Sequence, residues 1–178
     1  MGISQCVAVG AVLAVLRVYL GLMILAHGYH HFFGGGRIPG TATWFESIGV
    51  RPGVPNAMLA SATEVGVGVL LIVGLATPLA AAGLMSLMLV AIATVHRKNG
   101  FFIFNRGEGV EYTLSVAVTA LALGTLGPGP YSLDRWWGVP GWSWTPGSRL
   151  ALTLGVGVGA ALVQLALFYR PSRSSSTE

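Results

Sequence analysis

The stretch "VAVGAVLAVLRVYLGLMILA", residues 7–26, decides what kind of protein this is. It is 20 residues long and carries a single charge, Arg17. A helix that crosses the hydrocarbon core of a bilayer needs ~20 mainly apolar residues. Four further apolar segments follow at residues 57–76, 78–95, 110–126 and 150–168. In lipid only helices or a closed barrel satisfy the backbone, and continuous apolar runs predict helices. The expected fold is therefore an all-α integral membrane helical bundle.

Composition agrees. Of 178 residues, 53% are hydrophobic and 9% charged, against about 25% charged in soluble domains. Nine arginines and one lysine give a net charge of +4, yet no dense basic run marks a nucleic-acid partner. One cysteine, Cys6, excludes an internal disulfide, a CxxC redox pair and a Cys-rich iron–sulfur site. The N-terminus "MGISQC" has no basic n-region and misses the myristoylation pattern at position 6, so neither a cleaved signal nor an acyl anchor is expected.

The charges set an expected topology. Arg37, Arg51, Arg97, Lys98, Arg106, Arg170 and Arg173 fall on one side of a five-span chain, Arg135 and Arg149 on the other. The positive-inside rule then puts the first loop, the third loop and the tail in the cytoplasm and the N-terminus outside, in the plasma membrane of a bacterium. The fourth loop, "PYSLDRWWGVPGWSW", holds Tyr131, Trp136, Trp137, Trp142 and Trp144, as an aromatic belt at the outer headgroups would. In the first loop "TATWFESIGV" sets Trp44, Phe45 and Ile48 on one side of a short interfacial helix. Residues 170–178 read as a polar, disordered tail.

Two charges sit where charges are costly. Arg17 lies about ten residues inside the first span, Glu64 about seven inside the second. Such residues face the bundle interior and find partners. At ~1.5 Å per residue, antiparallel neighbours bring them to similar heights, so an Arg17–Glu64 pair is expected. More polar residues collect at the cytoplasmic end: His96 closes the third span, Asn99 and Gly100 follow, and Glu111 and Tyr112 open the fourth.

The first span continues into "HGYHHFFGGG", residues 27–36, with room for its helix to reach Phe33 and stop at the glycines. On a 100° wheel His31 lies about 40° and His27 about 80° from Arg17, with His30 elsewhere. His27 and His31 have the i, i+4 spacing of a metal pair, but no third ligand stands at fixed spacing. A bis-histidine haem on His27 and His96 has no further signal behind it. The reading adopted is a cytoplasmic pocket lined by His27, Arg17, Glu64, His96, Glu111 and Tyr112, with His30 and His31 as helix-end residues. In the last span Gly155 and Gly159 form a GxxxG, a candidate contact between copies.

The ordered pieces "RVYLGLMILAHGYHHFFG", "TATWFESIGV", "ATEVGVGVLLIVGLATPLAAAGL", "HRKNGFF", "GVEYTLS" and "GPGPYSLDRWWG" span residues 15–138. Together they resemble the DoxX family of small membrane proteins. The resemblance implies a four-helix membrane core over residues 1–138, with residues 139–169 adding the outer loop end and a fifth transmembrane helix. It implies carried-over positions at His27, Gly28, Glu64, His96, Gly100, Phe101, Glu111, Tyr112, Ser132 and Asp134, of which Gly28, Gly100 and Asp134 read as structural. His31 stands where the family often has lysine. The family name comes from a subunit of an archaeal thiosulfate:quinone oxidoreductase, and the family is distantly similar to surfeit-locus cargo receptors. The resemblance thus implies a subunit of a quinone-linked redox system with a soluble or membrane redox partner, rather than a complete enzyme. A non-enzymatic ligand-binding, transport or scaffold protein is the competing class.

Overall fold

The computed structural model describes residues 3–139 and 143–171. Trp142 and tail residues 172–178, Arg173 among them, lie outside the described residues. The elements in chain order are α1 (Ile3–Phe33), α2 (Arg37–Ser47), α3 (Gly53–Val73), α4 (Thr77–Ala91), α5 (Glu111–Leu126), α6 (Leu133–Trp136) and α7 (Pro146–Phe168). After α4 the chain continues through a π turn, Ile92–His96, and a 3-10 turn, Arg97–Asn99. Among the described residues the sole β feature is an isolated antiparallel bridge between Val50 and Tyr169.

Local chemistry sets the boundaries. Gly35, with φ +47°, turns the chain out of α1. The Glu46 carboxylate accepts from Gly53 N at 3.0 Å and caps the start of α3. Gly74 ends α3 with φ +69°, a left-handed conformation that favours glycine. Pro78 then sits in the first turn of α4, where a missing N–H costs nothing. Thr145 caps α7 by accepting from Ser148 N at 3.1 Å.

Four helical stretches are long and apolar enough to cross a bilayer: Gln5–Phe33, Gly53–Val73, Thr77–Asn99 and Pro146–Phe168. The expected fourth span, α5, has 16 residues, roughly 24 Å. It still joins the two ends of the bundle. Its first residues pair with the loop after α4, Val110 N to Gly100 O and Glu111 N to Phe101 O. At its far end Thr125 O accepts from Arg149 Nε. The chain is a multi-pass helical membrane bundle.

α1 runs antiparallel to α3 along a glycine-lined contact. A side chain at Gly21 would strike Gly68 O, and one at Gly28 would strike Val65, Glu64 and Ser61 O. α4 packs against α3, α5 and α7, while α2 lies across α3. Leu20, Ile24, Leu71, Leu84, Ala120 and Leu123 fill the core. Val15, Leu22, Leu162 and Val163 face outward, as lipid-facing positions do in a bundle that sits in hydrocarbon.

α7 is stitched into this bundle along its length. Thr153 Oγ1 donates to Pro78 O at 3.3 Å, and Gln164 Nε2 donates to the buried Asn56 Oδ1 at 2.7 Å. Arg51 N bonds Phe168 O at 2.8 Å and Arg170 N bonds Gly49 O at 2.6 Å. Gly157 is the small residue that lets α7 approach Ala82 and Met85, whereas Gly155 and Gly159 have nothing within 4 Å of a Cβ position.

The expected Arg17–Glu64 pair does not form. The α1–α3 register puts Arg17 level with the end of α3, where its Nη1 donates to Leu71 O at 3.1 Å. Its Nη2 donates to Tyr131 O at 2.5 Å, and Asp134 is the carboxylate whose field it feels. Leu71 is seven residues beyond Glu64 on α3, roughly 10 Å further along the axis. Asp134, 1% exposed, accepts from Ala76 N at 2.7 Å and Thr77 N at 2.9 Å. The segment Tyr131 to Trp136 thus folds back as a latch, with Arg17 holding it from below and Asp134 capping α4 from above.

Candidate functional site

At the opposite end from the latch, a cavity of about 520 Å³ opens between α1, α2, α3, α4, α5 and α7. Most of its wall is apolar. Met23 and Ile24 come from α1, Trp44 and Phe45 from α2, Leu59 and Ala60 from α3, and Leu87 and Met88 from α4. Set into that wall are His27, His31, Glu64, His96, Glu108, Tyr112 and Gln164. An apolar slot with a few convergent polar groups is the usual form of a small-molecule site. A hollow of similar size beside the latch, near 530 Å³, has only Tyr131 and Arg135 as titratable lining groups.

Helix packing explains how the polar groups arrive there. Gly28 lets α1 press onto α3, which carries His27 and His31 toward the face that bears Glu64. His31 Nε2 lies 3.6 Å from Glu64 Oε2, and its Nδ1 lies 3.0 Å from Thr41 Oγ1 of α2. One imidazole thereby links three helices. The contact with Glu64 is longer than a hydrogen bond, and Glu64 Oε2 is buried with no hydrogen-bond partner.

His96 arrives by a different route. The π turn Ile92–His96 widens the end of α4 and brings Thr94, Val95 and His96 into the cavity wall. Such single-turn π segments cluster at functional sites. His96 Nδ1 lies 3.0 Å from Glu108 O. A carbonyl can only accept, so Nδ1 carries the hydrogen and Nε2 is the nitrogen left to accept or take up a proton. Tyr112 donates its hydroxyl to Met23 Sδ at 2.9 Å, closing the gap between α5 and α1.

The structure brings together four of the residues expected to form the pocket: His27, Glu64, His96 and Tyr112. It does not bring Arg17, which serves the latch, nor Glu111. The Glu111 carboxylate accepts from Ile103 N at 3.0 Å and braces the loop after α4. Glu108 takes its place at the cavity. His31 stands in the last turn of α1, as expected, and it also lines the cavity through its contacts with Glu64 and Thr41. His30 does behave as a helix-end residue, exposed and with its ring against Gly34. Gly100 adopts φ +83° where the loop turns, and a Cβ there would press on Asn105. Sequence reasoning missed Gln164 and Trp44 as cavity residues. Among the described residues no group of three histidine, cysteine, aspartate or glutamate side chains converges as a metal site would require.

The comparison with known proteins concerns most of this cavity. The DoxX family model matches residues 12–97. That segment runs from α1 through the π turn and supplies His27, His31, Glu64 and His96; Glu108, Tyr112 and Gln164 come from beyond it. No curated protein and no solved structure matches the chain. Residues 12–97 of this multi-pass membrane protein are a DoxX-family domain.

Proposed function

We propose that the cavity binds the head group of a quinone and that the protein is the membrane subunit of a quinone-linked redox system. The observation that carries this reading is Glu64 Oε2, a carboxylate oxygen buried without a hydrogen-bond partner in an apolar slot, with His31 at 3.6 Å. A buried carboxyl oxygen left unsatisfied is costly, and a ligand that meets it regains that energy. A quinone suits the remaining features. Its flat ring fits between apolar and aromatic walls, and its carbonyls take hydrogen bonds from histidine and amide donors such as His27 and Gln164. Reduction to a quinol consumes two electrons and two protons. The electrons come from a redox partner protein, and the His31–Glu64 contact and His96 Nε2 are places from which protons reach the ligand. The seven-to-two division of basic residues supports a cytoplasmic placement of this cavity.

The test is extraction of the purified protein and identification of bound quinone, followed by titration with a short-chain quinone. Saturable binding that weakens about tenfold or more in Glu64→Leu and His31→Leu, but not in His30→Gln, supports the reading. A quinone-free protein that binds none of several quinones overturns it and leaves a site for some other small molecule.

A further inference from the structure

Beside the main cavity lies a second, smaller one of about 250 Å³, lined by Ser47, Ile48, Thr94, Arg97, Lys98 and Tyr169 among others. It sits where the end of α2, the turns after α4 and the end of α7 meet. Ile48, Thr94 and Val95 line both spaces, so only one layer of side chains separates them. Among the described residues no carboxylate lines the smaller cavity. Among the described residues neither Arg97 nor Lys98 makes an ion pair. Two of the lining hydroxyls have already given their hydrogens away, Ser47 Oγ to Trp44 O at 2.6 Å and Thr94 Oγ1 to Val90 O at 2.9 Å. Each offers lone pairs only.

We infer that this cavity holds the head group of an anionic phospholipid that carries hydroxyls, as a phosphatidylglycerol does. Its phosphate meets Arg97 and Lys98, and its glycerol hydroxyls donate to Ser47 and Thr94. Basic pockets between transmembrane helices bind anionic head groups in this way. The position fits as well, because the ends of membrane-crossing helices lie at headgroup depth. Arg97 and Lys98 in a last helical turn also complement the negative end of the helix. That role needs no cavity and no hydroxyl acceptors, and it is separable by experiment. The inference does not depend on a quinone in the larger cavity.

The test uses the full chain in a neutral detergent. Lipid binding is followed by native mass spectrometry and by the lipid-dependent rise in melting temperature. Phosphatidylglycerol, phosphatidylcholine and inorganic phosphate are added separately. Each basic residue near an anionic group contributes about fivefold in affinity, so Arg97→Gln with Lys98→Gln should weaken phosphatidylglycerol binding about thirtyfold. The control pair Arg37→Gln with Arg106→Gln should change it less than threefold. Phosphatidylcholine should neither bind at this level nor raise the melting temperature. The inference is overturned if phosphatidylcholine does as well, or if the control pair loses as much as the test pair. It is also overturned if Arg97→Gln with Lys98→Gln lowers the melting temperature equally with and without lipid. Stabilisation by inorganic phosphate alone would make this a free-phosphate site and overturn the lipid assignment.

Discussion

Replacing Arg17 by methionine should separate the two ends of the molecule energetically. Methionine keeps an apolar stem of similar length, so packing against α3 survives. What is lost is the guanidinium that donates to Leu71 O and Tyr131 O, and a positive charge whose field reaches Asp134. Hydrogen bonds from a charged donor contribute roughly 1.5–3 kcal/mol each. Two such bonds are lost together, and two carbonyls lose a donor. Their sum sets the expected loss at about 3–5 kcal/mol. For a chain of this size that is a fall of about 6–20 °C in melting temperature, read by thermal unfolding in detergent. A double-mutant cycle then distinguishes partners. Arg17→Met with Asp134→Asn should show coupling of about 1 kcal/mol or more, because both hold one latch. Arg17→Met with Glu64→Gln should add within about 0.5 kcal/mol, because two helical turns separate the sites. Strong coupling between Arg17 and Glu64 would refute the α1–α3 register described above.

Gly74→Ala should cost about 2 kcal/mol or more, since φ +69° disfavours a side chain and a Cβ there would displace the Arg17 guanidinium. The same thermal assay reads it. Gln164→Leu should lose about 1–3 kcal/mol by leaving Asn56 Oδ1 buried without a donor, and adding Asn56→Leu should recover most of the loss. With Cys6 replaced by serine, a membrane-impermeant thiol reagent should label a cysteine at Ser143 but not one at Lys98 in intact cells. The reverse pattern would invert the proposed orientation.

Much of this arrangement was legible in the chain. Apolar runs of near-membrane length mark the helices because a bilayer imposes length and composition together, and the stop at Gly34 follows from glycine chemistry. The boundaries that slipped are those set by tertiary contacts. α3 begins at Gly53 rather than residue 57 because the Glu46 carboxylate caps it from another helix. That offset, with α1 reaching Phe33, also explains the mistaken Arg17–Glu64 pair, since depth counted from span edges carries the error of both edges. The site was half legible. His27, Glu64, His96 and Tyr112 stand at the right end by position alone. His31 had a usable signal, its 40° wheel angle from Arg17, which outweighs its place near the helix end. Glu108 and Glu111 could not be told apart, because the fold of the loop decides which carboxylate faces inward. Gln164 carried no signal, since it depends on α7 closing against α3 and α4.

The most direct test of the central claim is photo-crosslinking with a quinone that carries a photoreactive group, followed by peptide mapping of the adducts. The account predicts adducts among residues 23–31, 59–64 and 90–96, suppressed by excess unlabelled quinone and lost in Glu64→Leu. Adducts confined to the latch near Tyr131 and Trp136, or labelling that excess quinone leaves unchanged, would contradict it.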